Sequence, residues 1–316
     1  MDSPPQADGV NDNLIYISLA QFETLNLGII LFKVINMKKI LGIIGSPRKL
    51  GNSEIMVKEI SRHISVPHEL NLLRLQDFKI LPCRGCYQCL FKTEGCVLKD
   101  DLNTVLKALL DADALIVSAP TYFLGPNAAV KCFLDRGLSF YSHIEKLWGK
   151  PAVGVVTTGI QGKEGYSLLG IQSFLKLIFA DEKDSRVVYG ALPGEVFMDE
   201  ENLRTAKELA SALFGPPAEK KGPCCPQCGG DTFRFMDSNT LRCMLCSNSG
   251  KMRVADGRPT FEMDKSDHEF FSSKEAALEH KQWLLGMKSR FMQQKKALKE
   301  ITQPYLKQGV WIKPQP

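Results

Sequence analysis

The sequence lacks a long apolar run, an internal repeat and a low-complexity tract. The longest apolar stretch near its start, residues 25–35, is too short to span a bilayer and contains Lys33. No secretory signal is visible, which disfavours a disulfide framework. A chain of 316 residues with 44% hydrophobic residues can still bury a sizeable core. We therefore expect a soluble, cytoplasmic protein that does not bind a membrane.

Histidine is scarce, and the chain has neither a high net charge nor a long basic run. The five histidines form no H-x-x-x-H pair, so a histidine-based metal site is not expected. The net charge is only +5, and no basic run is longer than the pair Lys295 and Lys296. Few aromatic residues accompany the basic C-terminal part, which disfavours nucleic-acid binding.

Cysteine, by contrast, is abundant and clustered. Nine of the ten cysteines fall within residues 83–96 and 224–246. In the first cluster Cys83, Cys86, Cys89 and Cys96 follow the spacing C-x2-C-x2-C-x6-C. Three thiolates at this interval are typical of an iron–sulfur cluster, and the fourth would complete a [4Fe–4S] site. A zinc site and a thiol–disulfide switch are the alternatives.

The second cluster has two C-x2-C knuckles separated by fourteen residues. Its candidate ligands are Cys225, Cys228, Cys243 and Cys246. This is the spacing of a zinc ribbon, so we predict a structural zinc ion. Rubredoxin-like iron on the same sulfurs is the alternative, and Cys224 could replace its neighbour Cys225.

Strand and helix patterns alternate along residues 38–215. Strands are expected at residues 40–44, 69–75, 114–118, 152–156 and 186–189, with Pro120 ending the third. Helices are expected at residues 53–64, 101–110, 127–136, 166–179 and 200–213. This order predicts an α/β fold, a doubly wound parallel five-stranded sheet that binds its ligand at the carboxyl ends of the strands.

Composition shifts divide the chain into parts. Residues 1–36 are predicted to be an extension, either a disordered tail or the result of a mis-called start codon, because Met37 resembles a natural start and leads directly into a strand. The α/β domain occupies residues 37–215 and contains the cysteine cluster loop 82–101. The remaining parts are a linker at 216–223, the zinc ribbon at 224–264 and a helical tail at 265–316, with a Lys-rich helix over residues 273–300.

The turn after the first strand, residues 45–53, reads G-S-P-R-K-L-G-N-S. It is neither a Walker loop nor a G-x-G-x-x-G loop. Glycine lets the backbone approach a phosphate, which Ser46, Arg48, Ser53 and the N–H groups of the following helix could then hold. An ordinary turn rich in capping residues is the alternative.

Three segments together resemble one known family. They are the loop at residues 45–53, the run A-P-T-Y-F-L-G-P at 119–126 with Lys131, Phe133, Asp135 and Arg136 after it, and T-T-G at 157–159. In this order they resemble the NADPH-dependent FMN reductase family of the flavodoxin-like fold, over about residues 38–215. The first cysteine cluster, followed by Asp100 and Asp101, narrows the resemblance to the iron–sulfur flavoprotein branch.

The resemblance implies an FMN-dependent oxidoreductase with a [4Fe–4S] cluster near FMN and NAD(P)H as co-substrate. It implies electron transfer from NAD(P)H or a reduced iron–sulfur donor such as a ferredoxin to an acceptor, in a homodimer or homotetramer. Flavin carries the chemistry, so no catalytic side chain is expected. The residues implied to bind FMN are Ser46, Arg48, Gly51, Asn52, Ser53, Pro120, Thr121, Tyr122, Phe123, Thr157, Thr158 and Gly159.

Two other functions stay open from the sequence. One is an NAD(P)H-dependent FMN or quinone reductase whose metals are only structural. The other is a flavin-sensing regulator that binds nucleic acid or protein through its zinc ribbon.

Overall fold

A parallel β-sheet organises the larger part of the computed structural model, which describes residues 37–91, 95–220, 222–255 and 257–314. The predicted extension at residues 1–36 lies outside the described residues. The strands are β1 Lys38–Ile44, β2 His68–Arg74, β3 Ala114–Tyr122, β4 Gly125–Pro126, β5 Pro151–Thr158 and β6 Asp181–Tyr189. Their order is β2-β1-β3-β5-β6, with β4 paired antiparallel to the end of β3. The predicted doubly wound sheet of five parallel strands is confirmed.

Helices cover both faces of the sheet, as the continuous apolar runs of the strands require. They are α1 Asn52–Arg62, α2 Leu102–Asp111, α3 Ala128–Leu134, α4 Ile144–Leu147, α5 Ser167–Leu177 and α6 Glu200–Leu213. Short 3-10 helices lie at Leu75–Asp77, Gln88–Leu90, Gly137–His143 and Glu195–Met198. Buried residues of α1 and α6 form one core cluster, and those of α2, α3 and α5 belong to the other.

The prediction that Pro120 ends the third strand is wrong. Pro120 pairs with Thr157 of β5, and β3 continues into a hairpin with β4. The Pro120 carbonyl accepts a hydrogen bond from the Asn127 N–H at 3.1 Å. A proline is tolerated here because it lies near the end of the strand, where a missing N–H costs little. The hairpin therefore projects from the carboxyl edge of the sheet.

A second, antiparallel sheet follows the α/β domain. Its strands are β7 Phe233–Phe235, β8 Thr240–Cys243, β9 Ser249–Ala255 and β10 Arg258–Met263, in the order β10-β9-β8-β7. Its small core contains Leu241 and Met263, and Leu169 of α5 packs against it. This ribbon is therefore seated on the α/β domain.

The last long helix, α7 Lys274–Thr302, is followed by a 3-10 turn at Gln303–Tyr305. Its first turns are docked, because Ala277 and Leu284 are buried in the core shared with α2 and α5. The Lys274 ammonium lies 2.5 Å from the Glu145 carboxylate. Beyond these turns the helix is mostly exposed. Among the described helices, none is both long and apolar enough to cross a membrane.

Candidate functional site

A cavity of about 200 Å³ opens at the carboxyl edge of the parallel sheet. All residues predicted from the sequence to bind FMN line it, except Phe123 and Thr158. The lining residues are Ser46, Arg48, Gly51, Asn52, Ser53, Pro120, Thr121, Tyr122, Thr157, Gly159, Gly190, Ala191 and Pro193. Three loops distant in sequence thus meet at the place where doubly wound sheets bind ligands.

The two predicted residues that do not line the cavity lie at the ends of strands or hairpins. Phe123 is fully exposed at the tip of the hairpin, and Thr158 is buried at the end of β5. A further wall of the cavity, which was not predicted from the sequence, is formed by Gly190, Ala191 and Pro193 directly after β6. The rule that ligands bind at the carboxyl ends of strands could have pointed to this segment.

Helix α1 begins at the cavity without a side-chain cap. Its N-cap is Gly51, which has no side-chain oxygen to accept a hydrogen bond from the first N–H groups of the helix, the groups that usually need such a cap. A Cβ at Gly51 would lie 3.0 Å from the Arg48 Cβ, so glycine allows the loop to close tightly. Hydroxyls surround this end: Ser53 Oγ lies 2.9 Å from Thr157 Oγ1, and Ser46 Oγ accepts from the Arg48 N–H at 3.2 Å. Open N–H groups at the positive end of a helix attract an anion such as a phosphate.

The buried Glu54 holds the shape of this loop. Its Oε2 accepts from the Leu50 N–H at 2.9 Å, and Leu50 has a left-handed backbone with φ 53°. Arg74 and Lys58 each lie 2.6 Å from the same carboxylate. Burial would raise the pKa of Glu54, but hydrogen bonds from Lys58, the Leu50 N–H and Arg74 outweigh it and lower the pKa to about 2. This role of Glu54 was not predicted from the sequence.

Two asparagines tie the walls of the cavity together. Asn52 Nδ2 donates to the Gly190 carbonyl at 2.8 Å, and Asn52 Oδ1 accepts from the Gly194 N–H at 2.9 Å. Because its amide is used in this way, Asn52 positions the loop after β6. Asn127 Nδ2 donates to the Gly45 carbonyl at 2.7 Å, which joins the start of α3 to the first loop.

These groups fit FMN. The helix N-terminus, the serine hydroxyls and Arg48 are donors suited to a phosphate. Pro120 and the half-exposed Tyr122 ring provide an apolar wall beside them. A planar ring can pack on such a wall.

The first cysteine cluster lies in an irregular loop before α2. Cys83 and Cys86 are exposed, Cys96 is half-buried and Cys89 is buried. Burial raises the pKa of Cys89 to about 11, with further contributions from Cys96, Cys86 and Cys83. The other three thiols therefore lie close enough to Cys89 to affect its ionisation. In the part of the chain that the structure describes, these four sulfurs do not form a group as compact as the ligands of a single metal ion. Four thiolates are, however, the donor set of a cubane cluster.

An ion pair holds the two ends of this loop. Arg136 Nη1 lies 2.5 Å from Asp100 Oδ2, and both side chains are almost fully buried. Asp100 also accepts from the Leu81 N–H at 2.9 Å, and Arg136 donates to the Leu81 carbonyl at 2.6 Å. Burial opposes ionisation of Asp100, but hydrogen bonds led by that from Arg136 hold its pKa below its usual range. Farther along, Ser142 Oγ donates to the Cys89 carbonyl at 2.6 Å.

The second cysteine cluster forms a compact group. The sulfurs of Cys225, Cys228, Cys243 and Cys246 all lie within 4.8 Å of one another. Cys225 and Cys246 are 3.8 Å apart, and Cys228 and Cys243 are 3.5 Å apart. A tetrahedral ion with zinc–sulfur bonds of about 2.3 Å requires an edge of roughly 3.8 Å, so the residues fit one zinc ion. Hydrogen bonds from Cys228 and Cys246 lower the pKa of Cys243. Cys224 lies outside this group.

Comparison with known proteins assigns the family. The model of the NADPH-dependent FMN reductase family matches residues 38–174. An iron–sulfur flavoprotein of Archaeoglobus fulgidus is 33% identical over 176 residues, covering 55% of this chain and 78% of the relative. One from Methanocaldococcus jannaschii is 32% identical over 185 residues, covering 55% of this chain and 95% of the relative.

The chain belongs to the iron–sulfur flavoprotein family. It is accordingly an FMN-dependent oxidoreductase. A solved structure titled flavone reductase has the same fold, with a TM-score of 0.68 at 18% identity. The superposition covers 88% of this chain and 100% of the chain in that structure. That share exceeds the α/β domain alone, so the likeness in fold extends into the C-terminal part.

Proposed function

We propose that this iron–sulfur flavoprotein relays electrons between a donor, either NAD(P)H or a reduced iron–sulfur protein, and an acceptor. Two cofactors would perform this relay. One is FMN, bound in the cavity at the carboxyl edge of the sheet, and the other is a [4Fe–4S] cluster bound by Cys83, Cys86, Cys89 and Cys96. When bound, FMN exchanges electrons in pairs or singly, and the cluster exchanges them singly.

The observation that carries this proposal is one short segment that touches both sites. Residues 127–143 begin beside the loop that lines the cavity, where Asn127 donates to the carbonyl of Gly45, the residue before Ser46. They continue to the cysteine loop, where Arg136 binds the Leu81 carbonyl and Ser142 binds the Cys89 carbonyl. From Asn127 to Arg136 the chain advances about 14 Å at the helical rise of 1.5 Å per residue. Helix α3 and the 3-10 helix that follows it thus contact both loops, which supports a short path between the two sites.

The rim of the cavity suits a planar co-substrate. Large apolar side chains next to lining residues stand exposed, among them Phe123 and Leu192. Phe123 and Leu124 have positive φ values of 49° and 66°, so the hairpin holds them outward in an unusual backbone conformation. Exposed apolar side chains beside a polar cavity can pack against a nicotinamide or quinone ring.

The ribbon cysteines are proposed to hold structural zinc. Three of the four side chains, Cys225, Cys243 and Cys246, are buried within the small ribbon core, which leaves no open position for a substrate. The ribbon sheet buries few apolar residues, so a metal would supply much of its folding free energy.

Anaerobic purification with iron, sulfide, zinc and FMN counted per chain tests the whole proposal. We expect about four iron, four sulfide, one zinc and one FMN. Cys89→Ser should lose iron and sulfide but keep FMN and zinc, whereas Cys132→Ser, a control outside the cluster, should keep all four.

Rapid-mixing kinetics then test the relay. Electron transfer from a reduced ferredoxin should slow in Cys89→Ser while FMN remains reducible by dithionite. FMN with zinc in both cysteine sites and no sulfide would instead identify an NAD(P)H-dependent FMN or quinone reductase with structural metals. A salt-dependent shift on DNA would support a regulator.

A further inference from the structure

One face of the ribbon sheet is strongly basic. Side chains alternate between the two faces of a strand, and paired residues of antiparallel strands share a face. Leu241, Cys243 and Met263 belong to the face that forms the small ribbon core. The opposite face presents exposed cations from all four strands, which we call the basic stripe: Arg234 of β7, Arg242 of β8, Lys251 and Arg253 of β9, and Arg258 of β10.

The charge of the basic stripe is poorly compensated within the chain. Arg234 and Arg242 occupy directly opposite positions on β7 and β8, where like charges destabilise a sheet. In the part of the chain that the structure describes, Arg253 is the only member with an ion pair, to Glu262 at 2.9 Å. The carboxylate of Asp237, in the turn between β7 and β8, accepts from two N–H groups of that turn. The excess positive charge therefore faces solvent.

The members of the basic stripe lie in single file. Neighbouring strands are about 4.8 Å apart and alternate residues of one strand about 6.8 Å apart, so the strand registers give a diagonal of about 25 Å from Arg234 to Arg258. That is the length of about seven residues of extended chain, in which side chains point to one side every second residue. A guanidinium binds a carboxylate through two parallel hydrogen bonds. An extended segment with Asp or Glu at alternate positions therefore matches the stripe.

The basic stripe offers no surface on which bases could stack. The aromatic residues of the ribbon strands, Phe233, Phe235 and Phe261, occupy the positions that alternate with the stripe. The rings of Phe233 and Phe261 pack on each other with centroids 4.2 Å apart. Proteins that bind single-stranded nucleic acid place aromatic side chains beside their cations. Charge and spacing together favour an acidic peptide over a nucleic acid.

We propose that the basic stripe is the docking surface for an extended acidic segment of a partner protein. None of its residues lines the FMN cavity or belongs to either cysteine cluster, so the proposal does not depend on the redox function. Opposite charge would steer the segment onto the sheet, and binding would weaken as salt is added.

The test is fluorescence anisotropy of the purified full chain with a labelled peptide of about ten residues in which Glu alternates with Thr. A peptide with Gln in place of Glu and a single-stranded oligothymidylate are the comparison probes. Arg234→Thr combined with Arg242→Thr removes two charges of the stripe and keeps residues suited to a strand. The matched control, Lys295→Gln combined with Lys296→Gln, removes two charges from the exposed part of α7.

We expect the dissociation constant for the Glu peptide to rise at least about tenfold in the arginine double variant, because hydrogen bonds to charged groups are lost. In the lysine double variant it should rise about twofold or less. The arginine double variant should also unfold at the wild-type temperature or above it, because the opposed like charges are gone. A purely structural role for the two arginines would instead lower that temperature.

Equal losses in the two double variants, or equally tight binding of the Gln peptide, would overturn the proposal. So would tighter binding of the oligothymidylate that is lost in the arginine double variant, because the stripe would then be a nucleic-acid surface. If the arginine double variant does not fold, Lys251→Gln combined with Arg258→Gln tests the same stripe: weaker binding of the Glu peptide supports the proposal, and unchanged binding refutes it.

Discussion

Replacing Glu54 with glutamine should destabilise the protein in a way that depends on pH. The substitution keeps the shape of a buried side chain but removes the charge that binds Arg74 and Lys58. It also weakens the acceptor for the Leu50 N–H, which holds the loop at the cavity. Stability and FMN binding should both fall.

The magnitude follows from the pKa of Glu54. It falls from 4.5 to about 2 on folding, and each pKa unit is worth 1.36 kcal/mol, so the ionised carboxylate contributes about 3 kcal/mol. Because the folded pKa is depressed, this stabilisation is fully present above the unfolded pKa near 4.5. It is lost as pH falls from about 4.5 to about 2.

The assay is urea unfolding of wild type and Glu54→Gln at pH values from 7 to 3, followed by circular dichroism. The variant should be less stable by up to about 3 kcal/mol at pH 7, and the difference should shrink as pH falls below 4.5. Release of metal from the ribbon at acid pH affects both proteins and cancels in the difference. Glu201→Gln is the control, because its ion pair with Arg204 is exposed and should contribute under about 1 kcal/mol.

A destabilisation that is the same at pH 7 and pH 3, or no larger than that of Glu201→Gln, would refute this reasoning. FMN titration of the same variants tests the loop separately. The dissociation constant should rise in Glu54→Gln and not in Glu201→Gln.

Three further predictions concern the ribbon cysteines, Ser53 and Gly165. Cys243→Ser should release zinc and unfold the ribbon while FMN stays bound, and Cys224→Ser should retain zinc; metal counts and flavin absorbance check both. Ser53→Ala removes a buried hydroxyl at the helix N-terminus and should weaken FMN binding about fivefold, or about 1 kcal/mol, by fluorescence titration. Gly165→Ala should lower the thermal unfolding midpoint more than Gly162→Ala: both have positive φ, but a Cβ at Gly165 would lie 2.1 Å from the Leu124 carbonyl oxygen, whereas one at Gly162 meets nothing within 4 Å.

Local patterns predicted the features that depend on nearby residues. The knuckle spacing around Cys225 and Cys243 is short enough to determine which sulfurs meet, and the structure brings those four together. The apolar run at residues 40–44 and the glycine-rich turn after it likewise predicted β1, the turn and α1 in the right order. The division of the chain at residues 215 and 264 stays a prediction.

Long-range partners were beyond such patterns. Glu54 and Arg74 are twenty residues apart, and Asp100 and Arg136 are separated by thirty-six, so only the packing of the whole domain brings them together. The start of the fifth parallel strand was also missed. β6 begins at Asp181 rather than residue 186, because its polar first residues pair with Pro151 and Ala152 of β5, a partner strand that the sequence pattern does not reveal.

The docking of α7 has a consequence for how this protein is made. Ala277 and Leu284 complete a core whose other members begin at Leu41, so the α/β domain lacks part of its interior until α7 has been synthesised. Contacts of such sequence separation form late and slow folding. Until then the apolar surface beneath α7 is open to chaperones and to other nascent chains.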